Sequence, residues 1–152
     1  MPEDIPPCHI RIDKEGNWYH QGLLIINKKI YNHLNQCLSK DSSGRCILKM
    51  NGERCVLEVE DTPFVVKEVS PKTIPGISTT LFIRLNDETE EELNADTLKV
   101  GKEDVLYCEV KEGLYEARFL RPAYYQFAKF LQHDEKGFYL LVEDKKTYLQ
   151  KR

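Results

Sequence analysis

The sequence predicts an α+β fold of two related subdomains, each a hairpin–helix–hairpin whose antiparallel sheet is packed by one helix. Three observations carry this prediction. Alternating apolar and polar residues between Gly and Asn turns mark strands along most of the chain. Two segments instead show the three-to-four-residue apolar spacing of a helix. The second of these, with its flanks, repeats the first at a constant distance in sequence. The chain has 152 residues, 41% of them hydrophobic and 31% charged. That composition excludes a disordered or collagen-like chain, and the length allows a core without a metal or disulfide staple.

Ile10-Arg11-Ile12 alternates like a half-buried strand, Lys14-Glu15-Gly16-Asn17 is turn chemistry, and Trp18-Tyr19-His20 is the returning strand. Asn27 can cap the helix that follows, whose apolar stripe is Ile30, Tyr31, Leu34, Cys37 and Leu38. Asp41-Ser42-Ser43-Gly44 is its expected stop. Strands then fall at residues 46–48, 55–59 and 64–66, with Asn51-Gly52 as a hairpin turn between the first two. Residues 70–76 contain two prolines and a glycine and are the linker candidate, so the expected domains are 1–70 and 71–152. Thr80–Leu85 and Thr97–Val100 read as strands. Between them Thr89-x-x-Glu92 fits either a capping box or a plain strand connection. Strands at 106–110 and 114–119 flank the turn Lys111-Glu112-Gly113. Pro122 opens a helix with Ala123, Tyr124, Phe127, Ala128, Phe130 and Leu131 on its apolar face. Asp134-Glu135-Lys136-Gly137 is the expected stop, and residues 138–142 and 147–149 make a closing hairpin.

An offset of 93 carries Tyr31 onto Tyr124, Leu34 onto Phe127, Leu38 onto Leu131, Asp41 onto Asp134, Gly44 onto Gly137, Ile47 onto Leu140 and Cys55 onto Tyr148. This predicts a duplicated unit, the second copy at about residues 105–150. Two such copies would pack together, and a groove between them is the default place for a ligand.

The formal net charge is −3 and spread over both halves, without the basic excess that nucleic-acid binding requires. The acidic run Asp87–Glu92 reads as a solvated turn. The five cysteines include no CxxC pair, and the N-terminal residues lack a basic and apolar leader pattern. No run has the length of a membrane span. Free thiols in the cytoplasm are the resulting expectation, with no metal site and no cofactor.

Three runs resemble the signature of a bacterial family, domain-of-unknown-function family 1285. They are Gly16-Asn17-Trp18-Tyr19-His20-Gln21-Gly22 with Ile25, Val59-Glu60-Asp61-Thr62-Pro63-Phe64-Val65-Val66, and Gly113-Leu114 through Arg121-Pro122-Ala123-Tyr124-Tyr125. The chain departs from the family pattern at Leu23-Leu24, where Ser-Pro is usual, and at Tyr115, which interrupts Gly-Leu-Glu-Ala. The resemblance implies two related α+β subdomains, the second superficially like a pleckstrin-homology module. It also implies a ligand cleft where they meet and a part in signalling, without an established catalytic activity.

No hydrolase, zinc-protease, phosphate-loop or dinucleotide motif is present in the sequence. Trp18 and His20 share a strand face and can line a pocket; alternatively Trp18 is core and His20 bonds a loop. Glu60 and Asp61 can act as an acid–base pair, or Asp61 organises the turn before Pro63 while Glu60 forms an ion pair. Arg118 and Arg121 can hold an anion at a helix N-terminus, or pair with Glu60 or Asp61. With Phe64 and Tyr125 from the family-like runs, these residues form the candidate ligand-binding set. The expected function is a non-enzymatic binding module for a small ligand or protein partner, monomeric or weakly dimeric. A protein–protein adaptor is the alternative, and a hydrolase using Glu60, Asp61 and His20 is a third reading.

Overall fold

In the first unit, Pro7–Ile12 (β1) and Trp18–His20 (β2) form the expected hairpin. Asp13 holds its turn. One carboxylate oxygen accepts the Glu15 and Asn17 N–H groups at 2.9 Å each, and the other accepts the Tyr19 hydroxyl at 3.1 Å. Gln21 and Gly22 follow with φ of 50° and 82°. Two successive left-handed residues are the geometry of a two-residue hairpin loop, and the chain returns as Leu23–Leu24 (β3), a strand absent from the sequence reading. Asn27 caps the helix Lys28–Gln36 (α1), its side-chain oxygen accepting the Lys29 N–H at 2.9 Å. Leu38–Lys40 (β4), Cys46–Met50 (β5) and Glu53–Val59 (β6) form an antiparallel meander, and β6 lies parallel to β1. The sheet order is β3-β2-β1-β6-β5-β4. Ile12, Trp18, Leu34, Leu48 and Leu57 are its buried core, each side chain contributing about 1.5–3 kcal/mol by leaving water.

The second unit begins with Phe64–Thr73 (β7), Thr79–Leu85 (β8) and Glu90–Glu92 (β9), a meander. Lys99–Val100 (β10), Leu106–Val110 (β11) and Tyr115–Phe119 (β12) follow, then the helix Arg121–Ala128 (α2). Leu131–Asp134 (β13), Gly137–Val142 (β14), Lys145–Tyr148 (β15) and Gln150–Lys151 (β16) close the chain. One sheet runs β16-β10-β11-β12-β7-β8-β9, and β13-β14-β15 form another. Phe119 and Phe127 meet edge to face at 5.7 Å, joining β12 to α2.

These strand orders make the duplication explicit. In both units three strands pair antiparallel in succession (β1-β2-β3; β10-β11-β12), a helix follows, and a meander (β4-β5-β6; β13-β14-β15) returns. The last strand of each copy lies parallel to that copy's first strand: β6 beside β1, and β16 beside β10. Leu149 divides the second copy's final strand into β15 and β16. The expected equivalence of the hairpins at 9–20 and 106–119 is therefore one strand out of step, because β1 corresponds to β10. The second copy begins near residue 99, before the expected 105. The β7-β8-β9 meander belongs to the second unit only.

The computed structural model describes residues 4–73 and 79–152, and the chain divides into the units Met1–Pro63 and Phe64–Arg152. The division thus falls ahead of the expected boundary at 70/71. Ser70–Thr73, the start of the linker candidate, lie in β7 and pair with β8; its remaining residues 74–76 fall outside the described residues. Two helix stops also differ. The helices end at Gln36 and Ala128, and Asp41–Gly44 and Asp134–Gly137 are instead turns inside the meanders.

The cysteines depart from the expectation of free thiols. Cys8 and Cys55 are joined in a disulfide across the β1–β6 pair, with a Cα–Cα distance of 4.9 Å. A register shift in β1, where His9 has φ of 59°, lies beside it. Cys37, Cys46 and Cys108 are free. Among the described residues no helix is long and apolar enough to cross a membrane, and no group of three or more His, Cys, Asp or Glu is placed to hold a metal.

Candidate functional site

Of the eight candidate residues, Trp18, His20, Glu60 and Asp61 belong to the first unit and Phe64, Arg118, Arg121 and Tyr125 to the second. Trp18 is core, 1% exposed, and its indole N–H has no acceptor among the described residues. His20 is exposed at the end of β2, opposite Leu23. Trp18 is thus core, as the alternative reading of that strand has it, but the His20 imidazole is exposed rather than bonded to a loop among the described residues. Glu60 pairs with Arg11 at 3.2 Å, and Arg11 also lies over the Tyr19 ring at 4.8 Å. Both members of the ion pair are about two-fifths exposed, so it contributes little to stability.

In the second unit Phe64 is buried at the start of β7, against Tyr115 at 5.4 Å and beneath the Lys111 ammonium. Arg118 lies on β12 beside Val65. Arg121 and Tyr125 are exposed on α2, and Tyr125 meets Tyr124 edge to face. Phe64 is a packing residue; Arg121 and Tyr125 are surface groups.

The residues that sequence reasoning missed lie around β3. Leu23, Leu24, Ile26 and Ile30 are all exposed, Ile26 most at 79%. They follow one another through an edge strand into the first turn of α1. Ile25 between them donates its N–H inward to the Trp18 carbonyl at 2.8 Å and packs on the core. In an antiparallel pair, residues alternate between facing and turning from the partner, so the backbone groups of Leu24 and Ile26 face away from β2. Leu24 and Ile26 also share one side-chain face. The result is an open sheet edge bordered by four large apolar side chains, an arrangement soluble folds otherwise blunt with charge or cover. Its sequence signal was Leu23-Leu24 itself, the departure from the family pattern, together with Ile30, which the stripe had assigned to the core.

A second concave surface lies in the second unit. Glu91, Glu92, Asn94, Glu109, Lys111 and Glu112 line about 530 Å³. The Lys111 ammonium is held by the Asp87 carboxylate and the Thr89 hydroxyl, each at 2.8 Å, while Glu91 accepts the Lys111 backbone N–H. Burial works against charge on Asp87, but the hydrogen bonds from Lys111 and Thr89 outweigh it and keep its pKa below the ordinary carboxylate value. Burial and the negative charges of Glu91, Glu109 and Glu116 push the Cys108 thiol far up. The acidic run is thus a turn plus strand β9 tied to its neighbours, and its surface favours cationic groups.

No family model matches the chain, and no curated protein matches it. Two solved structures share its fold. A DUF1285 family protein from Silicibacter pomeroyi DSS-3 superposes with a TM-score of 0.79 at 20% identity, over 99% of this chain and 84% of that one. A DUF1285 family protein from Shewanella baltica OS155 gives 0.64 at 20% identity, over 81% of this chain and 91% of that one. Both carry the name of the family that the residue motifs resemble, and the chain has their fold.

Proposed function

We propose that this chain is a non-enzymatic binding module that captures a protein partner on the first unit and serves in signal transduction. The observation that supports this reading is the exposed series Leu23, Leu24, Ile26 and Ile30 beside an unpaired strand edge. Apolar side chains so exposed cost solubility, which is the mark of a surface kept for a partner. This takes the adaptor alternative ahead of a small ligand, because Trp18 and Phe64, chosen for the ligand site, are core, and Glu60 is paired within its own unit. Co-purification tests it. The wild-type chain, tagged and expressed in the cells that make it, brings down one partner in stoichiometric amount, and the double variant Ile26→Lys/Ile30→Lys does not. Identical recovery from the two proteins rejects the assignment.

A further inference from the structure

We propose that the first unit binds an extended apolar segment of its partner as an added strand, running parallel to β3 along the sheet edge. The proposal rests on the reading of this surface as a binding site and specifies its occupant. The duplication supplies the argument, since the second unit shows the corresponding place already filled.

There, β12 stands where β3 stands in the first unit, as the third strand before the helix. Its outer edge is not free. β7 lies parallel to it, with Ala117 opposite Phe64, Arg118 opposite Val65 and Phe119 opposite Val66. The Leu120 N–H donates outward to the Val66 carbonyl at 3.0 Å. All three β7 residues are buried. The helix completes the seat: α2 packs against β7, and Gln126 Oε1 accepts the Val69 N–H at 2.7 Å.

The first unit has the seat without the strand. Leu24 and Ile26 turn their backbone groups outward as Leu120 does, although the strand register differs between the copies: the offset of 93 carries Leu24 and Ile26 onto Ala117 and Phe119, and Leu120 onto Asn27. On the helix the offset of 93 places Ile30 where Ala123 stands and His33 where Gln126 stands. Ala123 is fully buried, whereas Ile30 is 50% exposed. His33 is exposed; its Nε2 lies 3.9 Å from Cys37 Sγ, and in the tautomer whose Nε2 carries the proton, Nδ1 can accept a backbone N–H, as the Gln126 oxygen does. Two features therefore define the occupant. It is extended, because the edge offers backbone hydrogen bonds. It is apolar, because the edge is bordered by the exposed apolar side chains of Leu24, Ile26 and Ile30. A run like Phe64-Val65-Val66 satisfies both. Addition of a strand to a sheet edge is an established mode of peptide recognition, with main-chain bonds giving affinity and side-chain seats giving selectivity. Pairing of two β3 edges about a two-fold axis would run antiparallel and lacks this precedent within the chain.

The probe is a synthetic peptide with the sequence of residues 62–73, titrated into the full-length chain by fluorescence anisotropy, with sedimentation analysis in parallel. Wild type is expected to bind it saturably, and Ile26→Lys/Ile30→Lys to bind it at least about tenfold more weakly, the scale of losing a hot-spot contact. His33→Gln retains binding while His33→Ala weakens it. The substituted side chains are exposed, and unchanged circular dichroism shows that the variants fold. Absence of saturable binding to wild type, or equal binding to the double variant, overturns the proposal. A dimer of the wild-type chain that the double variant abolishes assigns the surface to a second copy and also overturns it. If partner capture persists while the peptide fails, the added-strand mode is wrong and the binding module stands; if both fail, both are wrong.

Discussion

At the scale of single residues, the chain divides its polar and sulfur chemistry between structure and surface. Trp18, the only tryptophan, sits in the core of the first unit beside partly buried Cys8, Cys37, Cys46 and Cys55. Two of these are joined, closing a sequence separation of 47 residues. Such a link stabilises by about 2–4 kcal/mol, chiefly by restricting the unfolded chain. Because the indole reports on the first unit alone, denaturant unfolding followed by Trp18 fluorescence isolates this effect. Dithiothreitol is expected to lower that midpoint, and the Cys8→Ser/Cys55→Ser variant to match the reduced protein. A midpoint indifferent to reductant would show that the bond is absent in solution. The sequence alone could not pair these thiols, because strand adjacency of residues so far apart arises only from the parallel β1–β6 pairing.

Among the elements, the two meander turns are the most telling. Asp41 and Asp134 occupy the same place in the two copies and make the same bond, accepting the N–H two residues on: Ser43 at 3.0 Å and Lys136 at 2.8 Å. Burial of Asp41 opposes its charge, but hydrogen bonds from Arg45 and Ser43 prevail and lower its pKa from 3.8 to about 2. At Asp134 the Lys146 ammonium and Tyr148 hydroxyl act first, and its carboxyl lies well below the usual range. Since both pKa values are depressed in the folded chain, the stability they contribute is present above pH about 4. It is lost as pH falls from there through the folded values, from about 4 to 2 and below. Asp41→Asn and Asp134→Asn are each expected to flatten the acid limb of a plot of melting temperature against pH. Parallel acid limbs in variant and wild type would contradict the assignment. These turns also explain which part of the fold was legible. Strand, turn and helix residues were recognised by type, and the offset of 93 exposed the repeat. The helix ends were not, since Cys37-Leu38 and Phe130-Leu131 continue a helical stripe as well as they begin a strand. Asp-x-x-Gly serves a hairpin turn as readily as a helix stop. β3 was missed because two consecutive leucines show no alternation.

For the whole molecule, the same arrangement of strands and helix occurs twice and is finished differently. The second unit carries β7-β8-β9 against β12; the first leaves β3 at the edge of its sheet. The candidate residues chosen from sequence were aromatic, acidic and basic groups, the types that signal chemistry. The surface that distinguishes the two copies is instead aliphatic, and it becomes visible only when each sheet is followed to its edge. Amide hydrogen exchange tests this difference most directly, residue by residue, in the unmodified chain. The Leu24 and Ile26 amides are expected to exchange near the rate of solvent-exposed backbone. The Leu120 and Val69 amides, held by Val66 and Gln126, exchange only with larger openings of the second unit. Equal, strong protection of Leu24 and Ile26 would contradict the account, because the edge of the first unit would already be covered.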